Sequence, residues 1–135
     1  MWPALARVES NVLTLQGARA LASGRSGLSA RLHDEAATRA PWVPEHAYAG
    51  ANAWRLLGLE SPEPERLRAL GRARQRASRA VALHPSEPLY RTLLGRILID
   101  LAKSTDPPDL ELLGAALAQL QRAESLDPTA VDNAL

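Results

Sequence analysis

The sequence predicts an all-α domain built from consecutive helical hairpins, and three observations carry that prediction. First, the stretch from Pro85 to Pro128 repeats the one before it. Moved back by 43 residues, Ser104 falls on Ser61, Pro107 on Pro64, Leu110 on Leu67, Leu113 on Leu70, Gly114 on Gly71, Ala116 on Ala73, Arg122 on Arg79, Ala123 on Ala80, Leu126 on Leu83 and Pro128 on Pro85. A duplicated helical pair needs such matches, because small residues set close helix approach and Pro stops a helix. Second, 46 % of the residues are apolar but only 4 % are aromatic. Ala and Leu must therefore fill the interior, which suits packed helices better than a sheet that would want Val, Ile, Tyr and Phe. Third, apolar residues recur at helical spacing between prolines, and no stretch reads as a convincing strand.

The elements follow in order. Trp2 to about Ser23 reads as a helix with an apolar stripe of Leu5, Val8, Val12, Leu15, Ala18 and Ala22, widened by Leu13 and Ala20. Gly24 to Gly27 is a turn, and a second helix runs from about Leu28 to Arg39 with Leu32 and Ala36 facing inward. Pro41 and Pro44 end it and aim the next helix; Trp42 between them is expected to pack into the seam between hairpins. Pro44 to Leu59 forms a third helix, and an exposed loop through Glu63 and Glu65 places acids at the start of the fourth, which runs to Leu83. Pro88 can open the fifth helix, where a missing N–H costs nothing, and Leu94, Ile97, Leu98 and Leu101 follow at helical spacing. The run Ser104 to Pro108 breaks the chain. The sixth helix begins near Pro108, carries Leu110, Leu113, Ala116, Leu117, Leu120 and Ala123, and ends at Leu126.

This pattern resembles the tetratricopeptide repeat, a 34-residue helical hairpin with Leu-Gly at positions seven and eight, small residues at 20 and 27 and Pro at 32. Leu94-Gly95, Ala116, Ala123 and Pro128 occupy those places if about nine residues are inserted between the two helices. Residues 10 to 43 fit without insertion, with Gly17 at the eighth position, Ala20 at the eleventh, Gly24 at the fifteenth, Ala36 at the 27th and Pro41 at the 32nd. The middle unit has Gly50-Ala51 for Leu-Gly, Trp54 at the eleventh position, then Ala73, Ala77, Ala80 and Pro85 in register. Unit one departs from the family at Gln16 in place of Leu, and at Ser29 and His33 where Ala and a large apolar residue are usual. The resemblance implies a right-handed α-solenoid of three hairpins, at residues 1–43, 44–87 and 88–130, with residues 131–135 the start of a truncated capping helix. The opening Met1-Trp2 and that last partial turn read equally as a piece of something longer or as a native short protein with a frayed end.

Composition bounds the chemistry. The chain has 135 residues, enough for one domain with a core, and no Cys, so disulfides and thiolate metal sites are excluded. No apolar run is long enough to cross a bilayer, so the chain reads as soluble as given, with its compartment open. Residues 1–96 hold fourteen basic and eight acidic side chains, net +6; residues 97–135 hold two and seven, net −5. The domain is polarised along its length.

Catalytic motifs are missing: there is no phosphate-binding Gly loop with Lys and Ser/Thr, no paired-His metalloprotease motif and no Gly-x-Ser-x-Gly elbow. His33, His46 and His84 are far apart in sequence, with no second ligand at helical spacing, and read as surface or partly packed residues. Neither an enzyme nor a cofactor is expected. Arg68, Arg72, Arg76 and Arg79 fall within an arc of about 80° on the fourth helix. They read first as a solvated face and second as a stripe for an anionic partner, whether an acidic protein or phospholipid headgroups. Nucleic acid is the least supported partner, because no aromatics interleave the stripe and the second half is acidic.

The resemblance implies a concave groove lined by first helices at positions two, five, nine and twelve. These are Asn11, Thr14, Ala18 and Leu21, then Glu45, Tyr48, Asn52 and Arg55, then Leu89, Thr92, Arg96 and Ile99. Thr14, Tyr48, Asn52, Arg55, Leu89, Thr92 and Arg96 are the residues expected to touch a peptide or partner helix. Of the family's carboxylate clamp of Lys, Asn and Arg, only Asn52 and Arg96 have counterparts, so a part-apolar peptide with one acidic contact fits better than a chaperone tail. A protein-interaction scaffold is the reading that follows. As an alternative, the stretch from Pro85 to Gly95 and the long loops are similar to the soluble repeat region of some bacterial O-antigen ligase or polymerase-like proteins, which would set the basic stripe near headgroups. Self-association through the open end near Leu135 is a further expectation.

Overall fold

The computed structural model describes residues 2–127. Pro128 and the expected capping helix lie outside the described residues. Six helices follow in order: α1 (Pro3–Ala22), α2 (Ser26–Arg39), α3 (Pro44–Glu60), α4 (Glu65–Leu83), α5 (Pro88–Lys103) and α6 (Leu110–Leu126). There is no strand among the described residues. Helices α1 and α2, α3 and α4, and α5 and α6 pack as hairpins, and α2 on α3 and α4 on α5 join one hairpin to the next. First helices also touch, α1 with α3 and α3 with α5, whereas the second helices stay apart. Backbones therefore crowd on the side of α1, α3 and α5, and the solenoid curves with that row on its concave side.

Local chemistry sets the helix ends. Pro3, Pro44 and Pro88 each open a first helix, where their lost N–H has no intrahelical partner to forfeit. Glu87 and Asp109 cap α5 and α6 with their carboxylates, accepting from Leu89 N–H and from the N–H groups of Glu111 and Leu112. The second helices end alike. Ala40, His84 and Asp127 each leave helical geometry, with φ of −134°, −145° and −158°, and donate a last N–H to the carbonyls of Ala36, Ala80 and Ala123. Each stands immediately before a proline, which pushes the preceding residue out of the helical region.

The core follows the repeat register. Positions 20 (Ser29, Ala73, Ala116) and 27 (Ala36, Ala80, Ala123) are all buried, as are Ala20, Trp54 and Leu98 at position eleven. Position eight faces position 24, and the two compensate in size. A Cβ on Gly17 would lie 2.8 Å from His33 Nε2, and one on Gly95 would lie 2.9 Å from Leu120 Cγ. Only Gly leaves room for those side chains. In unit two the pair is Ala51 and Ala77, both buried in the main core cluster with Leu70 and Ile97. Burying a Leu or Ile of that kind contributes roughly 1.5–3 kcal/mol.

Three sequence expectations are corrected. The apolar stripe of α1 faces outward: Leu5, Val8, Val12 and Leu15 are exposed, and Ala6, Ser10, Gly17 and Ala20 are buried. The Gly17–His33 contact decides the register here, and it lies on the opposite side of the helix wheel. Trp42 is 45 % exposed, and its neighbour Val43 fills the seam instead. On α6, Leu110 and Leu117 are exposed at 79 % and 56 %, since Ala116 and Ala123 take the buried positions.

Candidate functional site

Three of the expected groove residues converge. Tyr48 and Asn52 on α3 and Leu89 on α5 line one cleft of about 370 Å³, together with Glu45, Ala49, Glu87 and Tyr90. The cleft lies at the N-terminal turns of the two helices, where α3 touches α5. The Tyr48 and Tyr90 rings meet edge to face with centroids 5.1 Å apart, and His84 also packs edge to face with Tyr90 at 6.1 Å. Burial, then Glu45, then Glu87 hold the Tyr90 phenol above its ordinary pKa, so its hydroxyl remains a proton donor. Glu87 accepts from Leu89 N–H through Oε1 at 3.2 Å.

Of the other four expected groove residues, Thr92, Arg55 and Thr14 are occupied or hidden, and Arg96 is not. Thr92 is only 3 % exposed, and its Oγ1 has no hydrogen-bond partner, so it presents nothing to a ligand. Arg55 donates from Nε to Asp100 Oδ2 at 2.6 Å, with both side chains only 17 % exposed. That pair ties α3 to α5 and consumes the charge. Thr14 is drawn into a buried network around His46, whose Nδ1 lies 2.9 Å from Thr14 Oγ1 and whose Nε2 lies 2.8 Å from Ser10 Oγ. Because Ser10 donates its own proton to the Arg7 carbonyl, it must accept from Nε2–H. Burial favours the neutral ring, and in that form Thr14 donates to Nδ1. Burial lowers the pKa of His46, and burial and then His46 lower that of His33. Both rings are buried, unlike the surface or partly packed histidines expected from sequence. Arg96 is half-buried and has no ion-pair or hydrogen-bond partner among the described residues.

The basic stripe on α4 is mostly an internal fastening. Arg76 grips Asp34 of α2 with two bonds, Nε to Oδ1 at 3.0 Å and Nη2 to Oδ2 at 2.9 Å, and Trp54 Nε1–H donates to the same Oδ2 at 3.0 Å. Arg72 lies over the Trp54 ring at 4.8 Å. Arg79 reaches the Pro41 carbonyl at 3.4 Å. Of the four, Arg68 alone has a guanidinium with no partner among the described residues, at the rim of a second cleft of about 390 Å³ beside Trp54 and Arg72. Sequence spacing put the four arginines on one face; it missed Asp34, which lies one hairpin away. It also missed Glu87 and Tyr90, because the first is a capping residue outside the helix and the second is not at one of the four positions expected to line the groove. Among the described residues no group of three His, Asp or Glu is placed to hold a metal ion.

The fold and its groove define a tetratricopeptide-type helical-hairpin solenoid. Among solved structures the chain is similar to the first tetratricopeptide-repeat domain of Spaghetti (RPAP3) bound to an HSP90 peptide, SRMEEVD, with a TM-score of 0.72 over 94 % of this chain and 87 % of that one, at 20 % sequence identity. No protein-family profile and no curated protein matches the chain.

Proposed function

We propose that this chain is an interaction module that holds a peptide or partner helix along α1, α3 and α5. The observation that carries the proposal is the cleft in which Tyr48, Asn52 and Leu89, chosen from the repeat register, meet across two hairpins. Such a cleft offers apolar and aromatic area with a few polar groups, which is the composition of sites that bind a side chain. The similar domain of Spaghetti (RPAP3) holds a peptide, which supports the same use of the fold here. Arg96, half-buried at the ninth position and without a partner among the described residues, is the cation that meets an acidic group of the peptide, since Arg55 is paired with Asp100. A peptide array probed with the wild type and with Asn52→Arg/Leu89→Glu tests the reading. The wild type should select a subset of sequences that the variant loses; a blank array, or retention by a folded variant, would remove the groove from consideration.

The reading as a soluble part of a membrane-bound glycan ligase gains no support. It rested on the look of the stretch from Pro85 to Gly95 and the long loops, and the basic stripe it would set near headgroups has three of its four arginines engaged within the chain. No helix among the described residues is long and apolar enough to cross a membrane.

A further inference from the structure

Resting on the groove as the peptide site, we propose that the cleft between the N-terminal turns of α3 and α5 accepts the cationic side chain of an arginine- or lysine-bearing peptide. Its lining contains two carboxylates, Glu45 and Glu87, and no basic side chain. Among the described residues Glu45 makes no hydrogen bond or ion pair, and Glu87 commits only Oε1 to capping α5. Tyr90 is more than nine-tenths buried, yet its hydroxyl has no hydrogen-bond partner among the described residues, and the residue lines the cleft. Rings paired at 5.1 Å offer π faces and edges beside those carboxylates, the setting in which a guanidinium or ammonium is held by charge and ring together. The stem of a long basic side chain can lie against Leu89 and Ala49. Arg96 stands seven residues after Leu89, about 10 Å farther along the helix axis, so it does not oppose the cation. Burial first, and then the two carboxylates, raise the Tyr90 pKa. The charge preference of this cleft is opposite to that of a carboxylate clamp.

The test uses the whole chain labelled for NMR and three probes: acetyl-Gly-Leu-Arg-Leu-Gly-amide, the same peptide with citrulline for Arg, and the same peptide with Glu for Arg. The Arg peptide should move the amide signals around Tyr48, Asn52 and Tyr90, and rising salt should weaken it. Replacing Arg by its neutral isostere, or using the Glu45→Gln/Glu87→Gln variant, should each cost about tenfold in affinity, the scale of a lost charge-assisted contact. Gln at residue 87 keeps a cap for Leu89 N–H, and an unchanged circular dichroism spectrum checks the fold. If the citrulline or Glu peptide binds as tightly as the Arg peptide and moves the same signals, the groove survives and the cation pocket falls. If none of the three peptides moves any residue of α3 or α5, both fall.

Discussion

Replacing Asp34 by Ala should destabilise the chain by about 2 kcal/mol, and the figure can be assembled from its contacts. Asp34 receives two bonds from Arg76 and one from Trp54, all between 2.9 and 3.0 Å. The Arg76 and Asp34 side chains are 32 % and 26 % exposed, so solvent screens the ion pair and its share is about 1 kcal/mol at most. The indole N–H of Trp54 belongs to a buried ring, and leaving it without an acceptor adds roughly 1 kcal/mol. Together they correspond to a fall in Tm of roughly 6–10 °C for a chain of this size. Urea unfolding followed by helical circular dichroism would measure it, with Arg76→Ala and Arg68→Ala alongside. Arg76→Ala should lose a similar amount, because Asp34 is then left without its counter-charge. Arg68→Ala should stay within about 0.5 kcal/mol, as an unpartnered surface side chain does. A loss below about 0.5 kcal/mol for Asp34→Ala, or equal losses at residues 68 and 76, would refute the claim that the α4 arginines fasten the solenoid.

Acid should loosen the fold. Folding holds His33 and His46 below the ordinary pKa of 6.5, so above that pH both states are neutral and stability is complete. As pH falls below it the unfolded chain binds protons that the native chain refuses, and stability drops by up to roughly 1.4 kcal/mol per pH unit for each ring, measurable as a lower urea midpoint at pH 5.5 than at 7.5. Ser29→Ala and Thr92→Val should each be neutral or stabilising by about 1 kcal/mol, since each removes a buried hydroxyl without a partner, and Thr92→Val should leave peptide affinity unchanged. Val12→Glu should cost less than about 0.5 kcal/mol despite placing a charge in the most apolar stripe of α1, because that stripe is exposed; thermal melts decide it.

The repeat was legible in sequence because it is written in residues whose function is steric. The prolines after Ala40 and His84 end helices by backbone geometry, and the small residues at positions 8, 20 and 27 govern how near two helices come; neither depends on what lies elsewhere in the chain. The same logic explains where hydrophobic periodicity misled. On α1 the bulky apolar residues suggested one buried face, while the helix had to turn its Gly17 side to His33, which no larger residue could accommodate. His33 then had to be buried as a neutral ring, and Ser29 beside it as an unsatisfied hydroxyl, so the first hairpin carries polar atoms at two positions that are apolar in the third.

The candidate site was only half legible, for a different reason. Positions two, five and nine of a first helix are set by that helix alone, and Tyr48, Asn52 and Leu89 could be named from the register. The character of the cleft is set by curvature, which brings the start of α5 against α3 and adds Glu87 and Tyr90 to its wall. Likewise the charge of Arg55 is cancelled by Asp100, 45 residues later, and that of Arg76 by Asp34, 42 residues earlier. A count of charges along any single helix therefore reads the groove as more basic than it is. With those internal pairs removed, the unpaired charges lining the cleft are acidic, while Arg96 remains farther along. A ligand matched to both must place its cation at the N-terminal end of α5 and any carboxylate about 10 Å beyond it, which is roughly three residues of extended chain.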